Sequence, residues 1–338
     1  MKKFLSILLV TLLALSCFAL AGCSGDETTS TPSEDKYKFG MGLFTGFGTI
    51  KNADGDVNGN ATVTTTAAAV ILDKDGKVVK CAIDTVDAKV EYTANGELVA
   101  PTEYKTKGEL GTDYGMSSIG KTEWNVQVEN LCKFAEGKTL TEIKAWVATD
   151  GKGTSDVQSA GCTITIADFV LALEKAISSA VESDVKADNT LSIGFVTKQE
   201  KGANATDDKD GSVNVVSNIV AAAVSGGKAV ATVTDCVDVK ISFNVNGESM
   251  TDINSDLTSK RNLGTAYNMS AFGQDLNGDG VVKEWNEQAD VLDSIYKGKT
   301  ADEIAALVAE GYGVESVQTA GCTIAISDLV AAAVKAVK

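Results

Sequence analysis

Apolar positions in this chain fall into long runs and helical stripes, and the order of those runs occurs twice. Residues 61–72 and 212–224 each read as an apolar strand pattern, rich in Ala and Val with Thr, Ser or Asn interleaved. Asp75-Gly76 and Gly226-Gly227 follow them as hairpin turns. Residues 78–86 and 229–237 then predict a second strand. Residues 90–93 and 241–244 predict a third, closed by Asn95-Gly96 and Asn246-Gly247. Further on the period changes. A helix is predicted over Glu123-Trp124-Asn125-Val126-Gln127 and again over Glu284-Trp285-Asn286-Glu287-Gln288. Gly137-Lys138-Thr139 and Gly298-Lys299-Thr300 break these helices. Thr139 and Thr300 then cap short second helices, with Glu142 and Glu303 at the reciprocal capping-box position. Each half ends in an alanine-rich helical pattern, 169–181 and 329–337.

The repeat is plainest just before those last helices. Val157-Gln158-Ser159-Ala160-Gly161-Cys162-Thr163-Ile164 returns as Val317-Gln318-Thr319-Ala320-Gly321-Cys322-Thr323-Ile324. Gly42 matches Gly194, Asp84 matches Asp235, and an Ala-Ala-Ala-Val segment near the end of the first strand is shared. The expected fold class is α+β. Two tandem repeats each carry a small antiparallel sheet packed with about three helices on one face. The expected domains are 37–186 and 187–338, each with its own core, joined by a polar link at 183–189.

The first residues change the picture. Lys2 and Lys3 precede an apolar run that is closed by Leu20-Ala21-Gly22-Cys23. This resembles the lipobox of bacterial lipoproteins. That implies a signal peptide at 1–22, lipidation of Cys23 and a lipid-anchored protein on the extracytoplasmic face of a membrane. Residues 23–36, rich in Ser, Thr, Asp and Glu, read as a polar tether.

Composition then removes chemistries. A net charge of −16 argues against nucleic acid as a partner. The absence of histidine removes serine-type triads and most zinc sites. No pair of carboxylates has a spacing that specifies a hydrolase, and whether the chain is an enzyme stays open. Cys81, Cys132, Cys162, Cys236 and Cys322 sit mostly in apolar runs, as small buried hydrophobes do.

Three constellations are candidates for chemistry. The first is the repeated turn, which resembles the attachment motif of the FMN-binding domain family, with cysteine where that family has alanine. The resemblance implies FMN held as a phosphoester on Thr163, beside Gly161 and Cys162, and on Thr323, beside Gly321 and Cys322. It implies a flavin transferase and a redox partner, and a two-flavin electron carrier outside the membrane. In that reading Cys162 and Ile164 point inward and the threonine hydroxyl faces a cleft. Asp168 and Asp328 cap the following helices. Without the resemblance, the same residues read as a tight turn into a core helix. The second is Asp275-Leu276-Asn277-Gly278-Asp279-Gly280, equally a low-affinity Ca2+ loop, with Asp275, Asn277 and Asp279 as ligands, or an Asp-Gly turn. The third is Tyr114, Met116, Trp124 and Gln127 with Tyr267, Met269, Trp285 and Gln288: either a surface on which a flat ligand stacks, or core packing. The alternative to a flavin carrier is a non-enzymatic cell-surface lipoprotein that binds a ligand or a protein partner.

Overall fold

Glycine decides how the first strand of each repeat is covered. A Cβ on Gly42 would lie 2.3 Å from the carbonyl oxygen of Ala172, and one on Gly194 would lie 2.0 Å from that of Ala332. Only a strand with no side chain there lets an alanine-faced helix approach so closely. The computed structural model describes residues 36–100, 104–255, 257–271 and 280–338.

In the first repeat β1 (Tyr37–Lys51), β2 (Gly59–Leu72) and β3 (Val78–Tyr92) form an antiparallel meander. Its helices are α1 (Lys107–Leu110), α2 (Trp124–Ala135), α3 (Leu140–Lys144), α4 (Ser155–Ser159) and α5 (Ala167–Ser179). A short β4 (Val181–Ser183) returns to the edge of β1, giving the order β3-β2-β1-β4. The second repeat begins with the sheet β5 (Thr190–Ala203), β6 (Gly211–Ser225) and β7 (Lys228–Phe243). It continues with α6 (Lys260–Leu263), α7 (Trp285–Tyr296), α8 (Ala301–Ala305), a ribbon of β8 (Val308–Ala309) and β9 (Tyr312–Gly313), α9 (Glu315–Thr319) and α10 (Ser327–Val337). The fold is α+β with antiparallel sheets, as expected.

The strands differ from expectation in one respect. The predicted second and third strands of each repeat are a single strand, β3 or β7, and the glycine-rich opening segment supplies the missing one. Asp87 and Lys89 do not end β3. They are exposed and alternate with buried Val86, Ala88 and Val90, which is the period-2 pattern of one strand with one open face. The registers also shift the alanine run. Ala67 pairs with Asp84, whereas Ile219 pairs with Asp235, so Ala67 answers to Ile219 and the shared Ala-Ala-Ala-Val is displaced by two residues.

Residues 67–72 and 219–224 are apolar without a break because both faces of the sheet are covered there. One face carries Ala68, Val70 and Leu72 against α2 and α5, or Val220 and Ala222 against α7 and α10. The other faces of the two sheets meet each other. Phe39, Met41, Leu43, Val63 and Ile71 of the first pack with Phe195, Val215, Ile219, Val237 and Ile241 of the second. The layers therefore run helices, sheet, sheet, helices, and Asp35–Lys338 forms one compact unit. Each repeat has a core of its own between sheet and helices, and a third, central core is common to both repeats.

A reciprocal clasp closes one end of this sandwich. The amide of Ala53 donates to the Gly247 carbonyl at 2.7 Å, and that of Ala205 to the Gly96 carbonyl at 2.8 Å. Ser249 N–H donates to Asn52 Oδ1 at 3.0 Å and Leu98 N–H to Asn204 Oδ1 at 2.9 Å. Between them Tyr92 and Phe243, equivalent residues of the two repeats, stack at 4.7 Å and 8°. The 183–189 link is also built in, since Val185 is buried in the central core and Asn189 Oδ1 accepts from Lys186 N–H at 2.8 Å.

Candidate functional site

The repeated turn begins as the end of a helix. α4 stops at Gly161, whose φ of +97° is accessible to glycine and strained for other residues; Gly321 has +98° after α9. Gly161 N–H reaches the Gln158 carbonyl and Cys162 N–H the Val157 carbonyl, at 3.0 and 3.2 Å, which completes a helix C-cap. Cys162 and Cys322 then point into the core, both fully buried. Burial pushes the Cys162 thiol up to about 11 and the Cys322 thiol to about 12, so neither is a nucleophile near neutral pH.

A buried glutamine fixes the next residue. Gln127 Oε1 accepts from the Thr163 amide at 2.8 Å and from its hydroxyl at 3.0 Å. The Gln127 amide in turn donates to the Thr122 carbonyl at 2.8 Å. Gln288 holds Thr323 the same way, at 2.7 and 3.3 Å, and donates to the Lys283 carbonyl at 2.9 Å. The two glutamines, grouped from the sequence with the stacking residues, are instead clips joining the turn to α2 and α7. Thr163 is exposed and Thr323 half-buried.

Beside the first turn lies a cleft of 570 Å³, within the roughly 300–1,000 Å³ typical of small-molecule sites. Its floor is Thr64, Thr66 and Thr85, on the part of the sheet that α5 leaves bare. Tyr114, Met116, Trp124 and Phe169 line it with Lys107 and Asp168, so three of the predicted stacking residues do gather. Trp124 meets Phe169 edge to face at 5.9 Å, which sets the indole plane. Glu123 places the Tyr114–Met116 segment by accepting from Met116 and Ser117 amides at 3.1 and 2.8 Å. Ile164 and Thr165 form the wall nearest the turn. Thr163 itself is not part of the lining, and Ile164 is half-buried on that wall rather than turned wholly inward.

The charges in the cleft are partly cancelled. Lys107 bridges Asp87 at 3.0 Å and lies 5.4 Å over the Tyr114 ring. Burial works against its ammonium, but Asp87 outweighs that and its pKa is raised. Burial raises Asp168 above the usual carboxylate range; Lys107 pulls it back and Asp87 pushes it up. Asp168 is not the helix cap: Ile166 takes that position without a side-chain bond, and Asp168 sits in the first turn of α5, facing the cleft. Asp328, equivalent to it, is held by Lys198.

In the second repeat Lys260 covers Tyr267 at 5.4 Å, as Lys107 covers Tyr114. Lys283 lies over the turn and donates to the Ala320 carbonyl at 3.3 Å. The proposed calcium ligands Asp275, Asn277 and Asp279 lie outside the described residues, as does Cys23. Among the described residues no cluster of acidic or cysteine side chains is placed to hold a metal. The Gly-Lys-Thr triplets are helix punctuation: Gly137 N–H donates to the Val78 carbonyl at 2.7 Å, and Gly298 N–H to that of Ala229 at 2.7 Å.

The sequence reading missed Thr64, Thr66 and Thr85, although the hydroxyl run at 64–66, just before the apolar half of β2, is a visible sign that the strand changes surroundings there. No family model matches the chain, and no curated protein or solved structure matches it.

Proposed function

We propose that the chain is a lipid-anchored, extracytoplasmic flavin carrier that passes electrons, with FMN held at the first repeat and joined to Thr163. The observation that carries this reading is the placement of one exposed threonine, fixed by a buried glutamine, at the edge of an aromatic-lined cleft. The residues fit a flavin ring well: Tyr114, Met116 and Trp124 offer flat and polarizable surface, and the threonine floor offers hydroxyls to its polar edge. Lys107 and the amino end of α5 are the groups that would face a phosphate. Bound flavin supplies the redox chemistry; the chain holds, shields and orients it. Thr323 is the second attachment point on the same argument from the repeated turn. Anchoring at Cys23 would place both beside a membrane-bound redox partner.

A second reading, a non-covalent ligand-binding lipoprotein, is favoured by one observation. Ile164 and Thr165, rather than Thr163, wall the cleft, and the Thr163 hydroxyl already donates to Gln127. Titration of FMN into purified protein, read by quenching of flavin fluorescence, tests whether the cleft takes the ring. Binding that weakens about tenfold or more in Lys107→Ala or Trp124→Leu supports a flavin site in the cleft. Absence of binding together with an unmodified Thr163 in protein made alongside a flavin transferase overturns the carrier.

A further inference from the structure

A second groove, of 310 Å³, opens on the other side of α2, and two thiols stand on its wall. Cys81 on β3 is half-buried, Cys132 on α2 is buried, and their sulfurs are 3.1 Å apart with Cys81 donating. Asp84, Gly108, Glu129 and Ile193 complete the groove. The second repeat explains why it exists. By the common order of residues Thr232 answers to Cys81, Asp293 to Cys132 and Arg261 to Gly108. There Asp293 accepts from Thr232 at 2.9 Å and from the Arg261 guanidinium at 2.7 Å, tying α7 to β7. Both residues that open these turns use the backbone alike: Gly108 N–H donates to Asp84 and Arg261 N–H to Asp235, each at 3.0 Å. The first repeat therefore lacks the arginine and its ion pair, and the space a guanidinium would fill leads from solvent to the two sulfurs.

We infer that Cys81 and Cys132 form a disulfide that pins α2 to β3, the covalent counterpart of the Asp293 tie in the second repeat. The reaction is exchange with a small-molecule disulfide that enters the groove. The Cys81 thiolate, having lost its proton to solvent, attacks one sulfur of that disulfide, forms a mixed disulfide and expels a thiolate. The Cys132 thiolate then attacks the Cys81 sulfur and expels the second small thiolate. Two protein thiols are oxidised and one small disulfide is reduced to two thiolates, which take up, by way of solvent, the two protons that the protein thiols lost. The remaining described cysteines, Cys162, Cys236 and Cys322, are buried singly and supply internal controls. The bond to Cys132 and burial raise the Cys81 thiol well above its ordinary value, so exchange quickens as the pH rises.

The test is treatment of the full, folded chain with oxidised glutathione at about pH 8, where ordinary thiols begin to ionise. It is followed by alkylation with N-ethylmaleimide and peptide mapping. The expected result is a Cys81–Cys132 cross-linked peptide, two hydrogens lighter than the sum of its parts and unlabelled at both sulfurs. A higher urea midpoint should accompany it, lost again on reduction. In Cys132→Ser the glutathione adduct should persist on Cys81, because nothing displaces it. A folded wild-type chain that keeps both thiols alkylatable, or retains glutathione on Cys81, overturns the inference; so does a cross-link to any other cysteine.

Discussion

Replacing Gly42 by alanine tests how closely α5 lies on β1. The new Cβ would sit 2.3 Å from the Ala172 oxygen, 2.3 Å from the Ala176 amide nitrogen and 2.6 Å from Lys175 Cβ. Two of those atoms are helix backbone and cannot rotate away. Restoring ordinary contact needs a shift of α5 by about 1 Å, which loosens a close-packed layer. Overpacking of this kind costs about 1–3 kcal/mol. The lower chain entropy of alanine in the unfolded state returns roughly 0.5–1 kcal/mol, leaving a loss of about 2 kcal/mol near the upper end. Gly42 does not have a positive φ, so alanine fits its backbone conformation and the loss is steric. Gly46→Ala is the matched control on the same strand: its Cβ would meet only two Phe44 ring atoms, at 3.3 and 3.5 Å. Urea denaturation, followed by far-ultraviolet circular dichroism, is the assay. With a slope of about 3 kcal/mol/M the Gly42→Ala midpoint should fall by roughly 0.7 M, while Gly46→Ala should move by less than about 0.2 M. Equal midpoints for the two variants would refute the close approach of helix and strand.

Other expectations follow from the same contacts. Gln127→Ala leaves the Thr163 amide and the Thr122 carbonyl, both in part-buried bonds, without their partner, and should lower stability by about 1–3 kcal/mol, read as a urea midpoint shift with the two transitions of mutant and wild type fitted together. Tyr92→Ala and Phe243→Ala should each lose about 3–5 kcal/mol, and the double variant less than their sum, because each ring is the other's neighbour. Asp293 gives a pH signature. Burial, only partly offset by Arg261, raises its carboxyl from 3.8 to about 6. The folded state thus holds its proton more tightly than the unfolded state. The contribution is full below pH 3.8 and is lost as pH rises through about 6, a fall of about 3 kcal/mol at most. Asp293→Asn should remove that part of the pH slope; an unchanged slope contradicts it.

Local signals in the sequence were faithful where the physics is local. The capping boxes form as read: Thr139 N–H donates to Glu142 at 2.8 Å and Thr300 N–H to Glu303 at 2.8 Å. Gly96 and Gly247 take positive φ at their hairpins, as Asn-Gly turns require. Facts that depend on a partner distant in the chain were not legible. An apolar strand buried by helices on one face looks the same in sequence as one buried by another sheet on the second face. So the central core that joins Phe39 to Ile241 could not be read from either repeat alone. Asp87 and Lys89 read from sequence as a break between two strands, because the ion pairs that hold them on the open face, Asp87 with Lys107 and Lys89 with Glu91, are not visible there. Gln127 and Thr163 are 36 residues apart, and Cys81 and Cys132 are 51 apart; no periodicity brings either pair together. Of the candidate site, the threonine turn and the aromatic group were visible as separate patterns. Their adjacency, and the threonine floor between them, come from where α5 ends on the sheet.

The flavin proposal is tested most directly by the intact mass of the mature chain made together with a flavin transferase, followed by peptide mapping. The proposal predicts a mass increased by FMN less one water for each ester formed. One label should lie on the peptide that holds Thr163 and be lost in Thr163→Ala, while Gln127-held Thr163→Ser keeps it. An unmodified mass in that preparation, with no flavin released on denaturation, contradicts it.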